Sequence, residues 1–125
     1  MSNLIYKEEA YKIIGVCMEV YNQLGKGFNE VVYADALEIE FMDNNIPYSR
    51  EKKYGIVYKG NLLPHKYKAD FIIDNKIVLE LKAISCLTSA HIKQQTLNYL
   101  AVSKLKLGLL INFGEDSLIY KRVVL

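Results

Sequence analysis

The 125-residue sequence predicts a three-layered domain of mixed helix and strand, α/β or α+β in class. Three observations carry that prediction. Apolar residues recur at helical spacing in the stretch up to Phe41. β-branched and aromatic residues then dominate from Tyr48 to Ala83, broken by two turn signals. A further helical stretch separates that block from two closing strands. No repeat, low-complexity tract or linker interrupts the chain, so residues 1–125 read as a single domain in the order ααβββαββ.

The first helix is predicted over Lys7 to Leu24, where Ala10, Ile13, Ile14, Cys17, Tyr21 and Leu24 line one face and Gly25 stops the run. Asn29 then stands where a helix cap belongs. Glu30 follows in the first turn, Tyr33, Leu37 and Phe41 continue the stripe, and Asn44-Asn45 with Pro47 ends it. Between Tyr48 and Ala83, turns at Lys59-Gly60-Asn61 and Asp74-Asn75-Lys76 divide the block into a three-stranded meander. Thr88 or Ser89 caps a third helix through Ile92, Gln95, Tyr99 and Leu100. Strands over Leu107 to Phe113 and Leu118 to Val123 flank Gly114.

Half of the residues are apolar, and 16 Lys and Arg stand against 14 Asp and Glu for a net charge of +2. That balance excludes a disordered chain and a strongly basic nucleic-acid tail, so any phosphate contact must come from a local patch. The opening Met1-Ser2-Asn3-Leu4-Ile5-Tyr6-Lys7-Glu8-Glu9 has no export pattern, and no apolar run reaches membrane-spanning length. Cys17 and Cys86 lack the paired spacing of zinc or redox motifs and are expected to be reduced packing residues. A cytoplasmic location without membrane contact is the expectation.

Chemistry concentrates in Ile77-Val78-Leu79-Glu80-Leu81-Lys82-Ala83, where two charges interrupt a run apolar enough for a central strand. Strand alternation puts Glu80 and Lys82 on one face and Leu79 and Leu81 on the other. Asp70 interrupts a second apolar strand, Ala69-Asp70-Phe71-Ile72-Ile73. A three-residue loop at Asp74-Asn75-Lys76 pairs Ile73 with Ile77 and brings Asp70 opposite Glu80. A two-residue loop would put Leu79 there instead.

Two adjacent carboxylates repel unless a cation lies between them, and hard oxygen donors suit Mg²⁺ or Mn²⁺. A nearby lysine completes a site for phosphodiester hydrolysis, Lys82 orienting water or stabilising phosphoryl charge. The plainer alternative is a surface ion pair between Glu80 and Lys82. Glu51-Lys52-Lys53 spells the same pattern in a polar stretch, where solvation accounts for it.

With these residues in place, the chain resembles the PD-(D/E)XK nuclease superfamily, whose restriction-endonuclease-like core has a similar order of elements. Gly27-Phe28-Asn29-Glu30-Val31-Val32-Tyr33 is similar to the signature of the GxxExxY family within that superfamily. The likeness runs on through Ala69-Asp70-Phe71, Val78 to Ala83, Gln95 to Leu100 and Leu107 to Phe113. It implies a metal-dependent nuclease acting on nucleic acid, with DNA the expected substrate. It further implies that Asp70, Glu80 and the Leu81 carbonyl ligate the metal, that Glu30 ligates it or positions water, that Lys82 assists attack, and that Gln95 orients the site or binds phosphate.

Each of these has a plainer alternative. Glu30 in a first turn is favourable to the helix dipole without any ligand. Gln95 fits a solvent-facing position, and Tyr99, four residues on, fits core support. Lys68 stands where relatives often carry arginine, and Gln94 competes with Gln95 for the motif position. His65 and His91 have no partner visible in sequence and stay outside the set, and Gly25-Lys26-Gly27 lacks a phosphate-loop context and reads as an interhelical turn.

The rival from another class is a non-catalytic module that binds nucleic acid or protein on the same fold. Lys52, Lys53, Lys59, Lys66 and Lys68 on the first two strands serve backbone phosphates under either reading. A chain this small is expected to enclose a duplex as a homodimer or with a partner protein.

Overall fold

The computed structural model describes residues 4–125, apart from the side chains of residues 89 and 91–94. Expectations for residues 1–3 and for the side chains of Ser89, His91, Ile92 and Gln94 lie outside the described residues. The elements run α1 (Lys7–Leu24), α2 (Glu30–Asp43), β1 (Tyr48–Tyr58), β2 (Asn61–Ile73), β3 (Ile77–Lys82), α3 (Ser89–Ser103), β4 (Leu107–Asn112) and β5 (Ile119–Val123). This is the predicted order. Gly25 ends α1 at φ 68°, a left-handed conformation that costs glycine little. Asn29 occupies the predicted cap of α2, but its side chain makes no capping hydrogen bond.

The strands form one sheet in the order β1-β2-β3-β4-β5, with β3 and β4 parallel across the α3 crossover and the other neighbours antiparallel. The larger core joins Ile13, Cys17 and Val20 of α1 and Tyr33, Leu37 and Phe41 of α2 to Phe71, Leu79, Leu81, Leu109 and Ile111 of the sheet. A smaller core on the opposite face packs Tyr99 and Leu100 of α3 against Ala69, Ile72, Val78 and Val123. The three predicted layers are therefore α1 with α2, the sheet, and α3. At Gly108 α3 comes so close that an added Cβ would lie 2.4 Å from Thr96 Cγ2, so a side chain there would push the helix off β4. Cys17 is buried in the core, whereas Cys86 is exposed and is not the packing residue the sequence suggested. Among the described residues no helix is long and apolar enough to cross a membrane.

The β2–β3 register pairs Ile73 with Ile77, Ile72 with Val78 and Phe71 with Leu79, as the three-residue loop requires. One irregularity lies beside it. Phe71 and Ile73 belong to the larger core while Ala69 and Ile72 belong to the smaller, so the alternation of β2 breaks around Asp70. Across the ladder, β1 passes through Glu51 at φ 56° without slipping register, since Arg50 pairs with Phe71 and Lys52 with Ala69. Both strands of the ribbon reverse their faces at the same level.

Candidate active site

The sheet opens where those irregularities fall. The β2–β3 ladder ends at Phe71 and Leu79, and side chains take over from the backbone. The Asp70 backbone N–H donates to Glu80 Oε1 at 3.1 Å, and the Leu81 N–H donates to Asp70 Oδ2 at 2.8 Å. Each carboxylate thus satisfies a backbone donor that the separating strands leave unpaired. The Leu81 carbonyl lies on the same edge of β3 as its N–H, facing the opening rather than β4.

Glu80 points to the α3 side and is only 2% exposed. Burial first, and then the neighbouring Asp70 charge, push its carboxyl up to about 9. Burial also raises Asp70, against the lowering influence of the Leu81 hydrogen bond and Lys82. On the same face Lys82 Nζ donates to Gln95 Oε1 at 2.6 Å, and Tyr99 bonds to Gln95 and stacks edge-on with Tyr67 at 5.7 Å between ring centroids. Gln95 thus meets the strand at Lys82.

From the α2 side, Glu30, Val31, Ala34, Arg50, Glu51, Lys68, Asp70 and Leu81 line a cleft of about 230 Å³. Glu30 reaches it because the interhelical turn is tied down. Tyr33 Oη donates to the Gly25 carbonyl at 2.6 Å and accepts from the Phe28 N–H at 3.3 Å, and its ring stacks on Phe113 at 4.3 Å. Glycines in the turn and a tyrosine on the next helix are what this clamp needs. Burial raises the Glu30 carboxyl, Lys82 lowers it and Asp70 raises it, so the three groups act on one another.

The sequence-predicted residues are thus divided by the sheet. Glu30, Asp70 and Leu81 share the cleft, while Glu80, Lys82 and Gln95 lie toward α3, and Asp70 links the two sets. Among the described residues no three His, Cys, Asp or Glu side chains gather closely enough to hold a metal by themselves. The donor chemistry nevertheless fits a hard divalent cation: two carboxylates that accept backbone hydrogen bonds and whose charges burial opposes, beside the Leu81 carbonyl on the same strand edge.

A family model described as the PD-(D/E)XK nuclease superfamily matches residues 7–123. The chain belongs to that superfamily. No curated protein matches it. The crystal structure of SSO0001 aligns with it at a TM-score of 0.57 and 21% sequence identity, covering 95% of this chain and 57% of that one. This PD-(D/E)XK chain therefore spans little more than half of SSO0001, with which it shares the fold.

Two features around the candidate site of this PD-(D/E)XK chain were not read from sequence. Glu51 is exposed, as a solvated charge should be, yet it also lines the cleft, lies 4.0 Å from Lys68 and raises Asp70 by its own charge. Nothing in the spelling of Glu51-Lys52-Lys53 marks it, because its position depends on a positive φ at a non-glycine residue. Asn112 is fully buried and clamps the chain just beyond Lys82, accepting from the Ile84 N–H at 3.0 Å and donating to the Ile84 carbonyl at 2.9 Å. A lone amide in the apolar run Leu107 to Phe113 was the available signal.

Proposed function

We propose that residues 1–125 act as one metal-dependent nuclease domain that hydrolyses phosphodiester bonds in nucleic acid, with DNA as substrate and Mg²⁺ or Mn²⁺ as cofactor. The observation that supports this most is the interlock of Asp70 and Glu80 across the opening between β2 and β3, with Lys82 beside it. Three ionisable groups at one sheet edge, Glu80 buried and Asp70 and Lys82 half-buried, are costly to keep unless they do chemistry there. In this reading Asp70, Glu80 and the Leu81 carbonyl hold the cation, and Glu30 completes its surroundings from the cleft. A divalent cation bound there would supply Lewis-acid polarisation of the phosphodiester. Gln95 fixes the Lys82 ammonium so that its charge meets the phosphoryl oxygens as negative charge builds there. Tyr99 holds Gln95 and is not itself catalytic. Kinship with the GxxExxY group, a cytoplasmic setting, and a homodimer or partner protein to enclose the substrate belong to the same reading.

The test is incubation with labelled duplex, single-stranded and branched DNA and with RNA, in Mg²⁺, in Mn²⁺ and in chelator. Cleavage of DNA with either cation, abolished by chelator, is expected. Binding of nucleic acid without cleavage under every condition would replace the nuclease by the non-catalytic interaction module.

A further inference from the structure

The β1–β2 hairpin extends past the last rung shared with β3, and it is charged unlike the rest of the molecule. Between residues 51 and 68 five lysines face the single acidic Glu51, a surplus of four positive charges in a chain whose net charge is +2. The remaining residues are net acidic. The pairing sorts the five lysines. Lys53 lies directly opposite Lys68, and Gly55, two residues on, lies opposite Lys66. Directly paired residues share a face, so Lys53, Lys66 and Lys68 stand together. Lys68 itself lines the cleft that holds Glu30 and Asp70. Lys52, on the other face, sits over the Tyr54 ring at 5.6 Å, and Lys59 lies in the turn over Tyr58 at 5.6 Å.

The lysine row leads outward to an apolar tip on the same face. A bulge between Gly55 and Val57 takes up the extra residues around Pro64, and Val57 then pairs with Leu62. Leu62 lies over Gly55, where an added Cβ would meet its Cδ1 at 2.8 Å. Val57 and Leu62 are 66% and 60% exposed, and Tyr58 beside them is 60% exposed. Like charges set opposite each other and bare apolar tips both disfavour the isolated arm. Both become favourable against a partner that offers a row of negative charge beside apolar edges.

We infer that the hairpin is a duplex-DNA arm. Lys53, Lys66 and Lys68 follow one phosphate backbone toward the cleft, and the Val57–Leu62 tip lies against base edges in the major groove. A two-stranded ribbon has the width that this groove admits, whereas the deep, narrow groove of duplex RNA excludes it. The inference rests on the nuclease reading for the identity of the polyanion, and binding measured without turnover lets the two fail separately.

The experiment is fluorescence anisotropy of a short labelled DNA duplex with the full chain in chelator, from about 50 to about 200 mM salt. One triple variant carries Lys53→Gln, Lys66→Gln and Lys68→Gln. A control removes the same charge outside the hairpin through Lys7→Gln, Lys12→Gln and Lys106→Gln. The arm variant is expected to bind about tenfold more weakly, with a log-log salt slope shallower by roughly 2 to 3, while the control keeps the slope within about one unit. Val57→Ser with Leu62→Ser is expected to weaken binding with the slope unchanged. No binding of DNA duplex, equal losses in both lysine variants, or unchanged binding of the tip variant would overturn the arm. Equal affinity for an RNA duplex would overturn its placement in the groove. Unaltered circular dichroism shows that the surface variants are folded.

Discussion

Glu80 combines 2% exposure with a neighbouring carboxylate, and its energetics set a sign that solution measurements can read. In the unfolded chain a glutamate ionises near its ordinary value of 4.5, whereas burial and Asp70 raise it to about 9 in the folded protein. Between those values the folded state holds a proton that the unfolded state has lost, so stability falls as pH rises. Without a divalent cation, the thermal midpoint is expected to drop from about pH 5 to about pH 8, and Glu80→Gln is expected to flatten that slope. A profile in Glu80→Gln as steep as in the wild type would contradict the assignment. Cation binding near neutral pH should release close to one proton, a value measured by calorimetry in buffers of different ionisation enthalpy and lost in the same variant. The charges themselves were legible, because Asp70, Glu80 and Lys82 interrupt apolar strands. Their hydrogen bonds to backbone N–H groups were not, since those follow from where the ladder stops.

Two elements carry the cleft, and each offers a test. The turn between α1 and α2 is held by Tyr33 Oη, so Tyr33→Phe should keep the Phe113 stacking and lose about 1 kcal/mol of stability, read from chemical denaturation. Any loss of cleavage beyond that of stability would come through Glu30, whose position the turn sets. In β1, Glu51 holds φ 56°, a conformation that suits glycine better than any β-branched residue. Glu51→Gly is therefore expected to match or exceed the wild-type thermal midpoint, and Glu51→Val to fall below it. Element order and the Ile73–Ile77 register were readable because helical spacing is strong in α1 and because Asp74-Asn75-Lys76 fixes the loop length. The reversal of faces at Glu51 and Asp70 was hidden: both residues are polar, and polar residues carry no signal of which core their neighbours join.

Across the whole molecule the sheet is split at one point, with a carboxylate-lined cleft on the α2 side and the Lys82–Gln95 pair on the α3 side. The crossover through α3 makes β3 and β4 parallel, and Asn112 on β4 ties down the chain that leaves Lys82. The proposed site is thus built on helices and strands rather than loops, as a site requiring fixed geometry demands. Family membership accounts for the architecture, while the roles of Asp70, Glu80 and Lys82 rest on their contacts. Their most direct test is the single-turnover cleavage rate of a labelled DNA duplex in Mn²⁺ by the wild type, Glu80→Gln and Lys82→Ala, each confirmed as folded by thermal melting. The wild type should cleave, and each variant should be slower by about a hundredfold or more. Cleavage at the wild-type rate by either folded variant would contradict the assignment of that residue to the reaction.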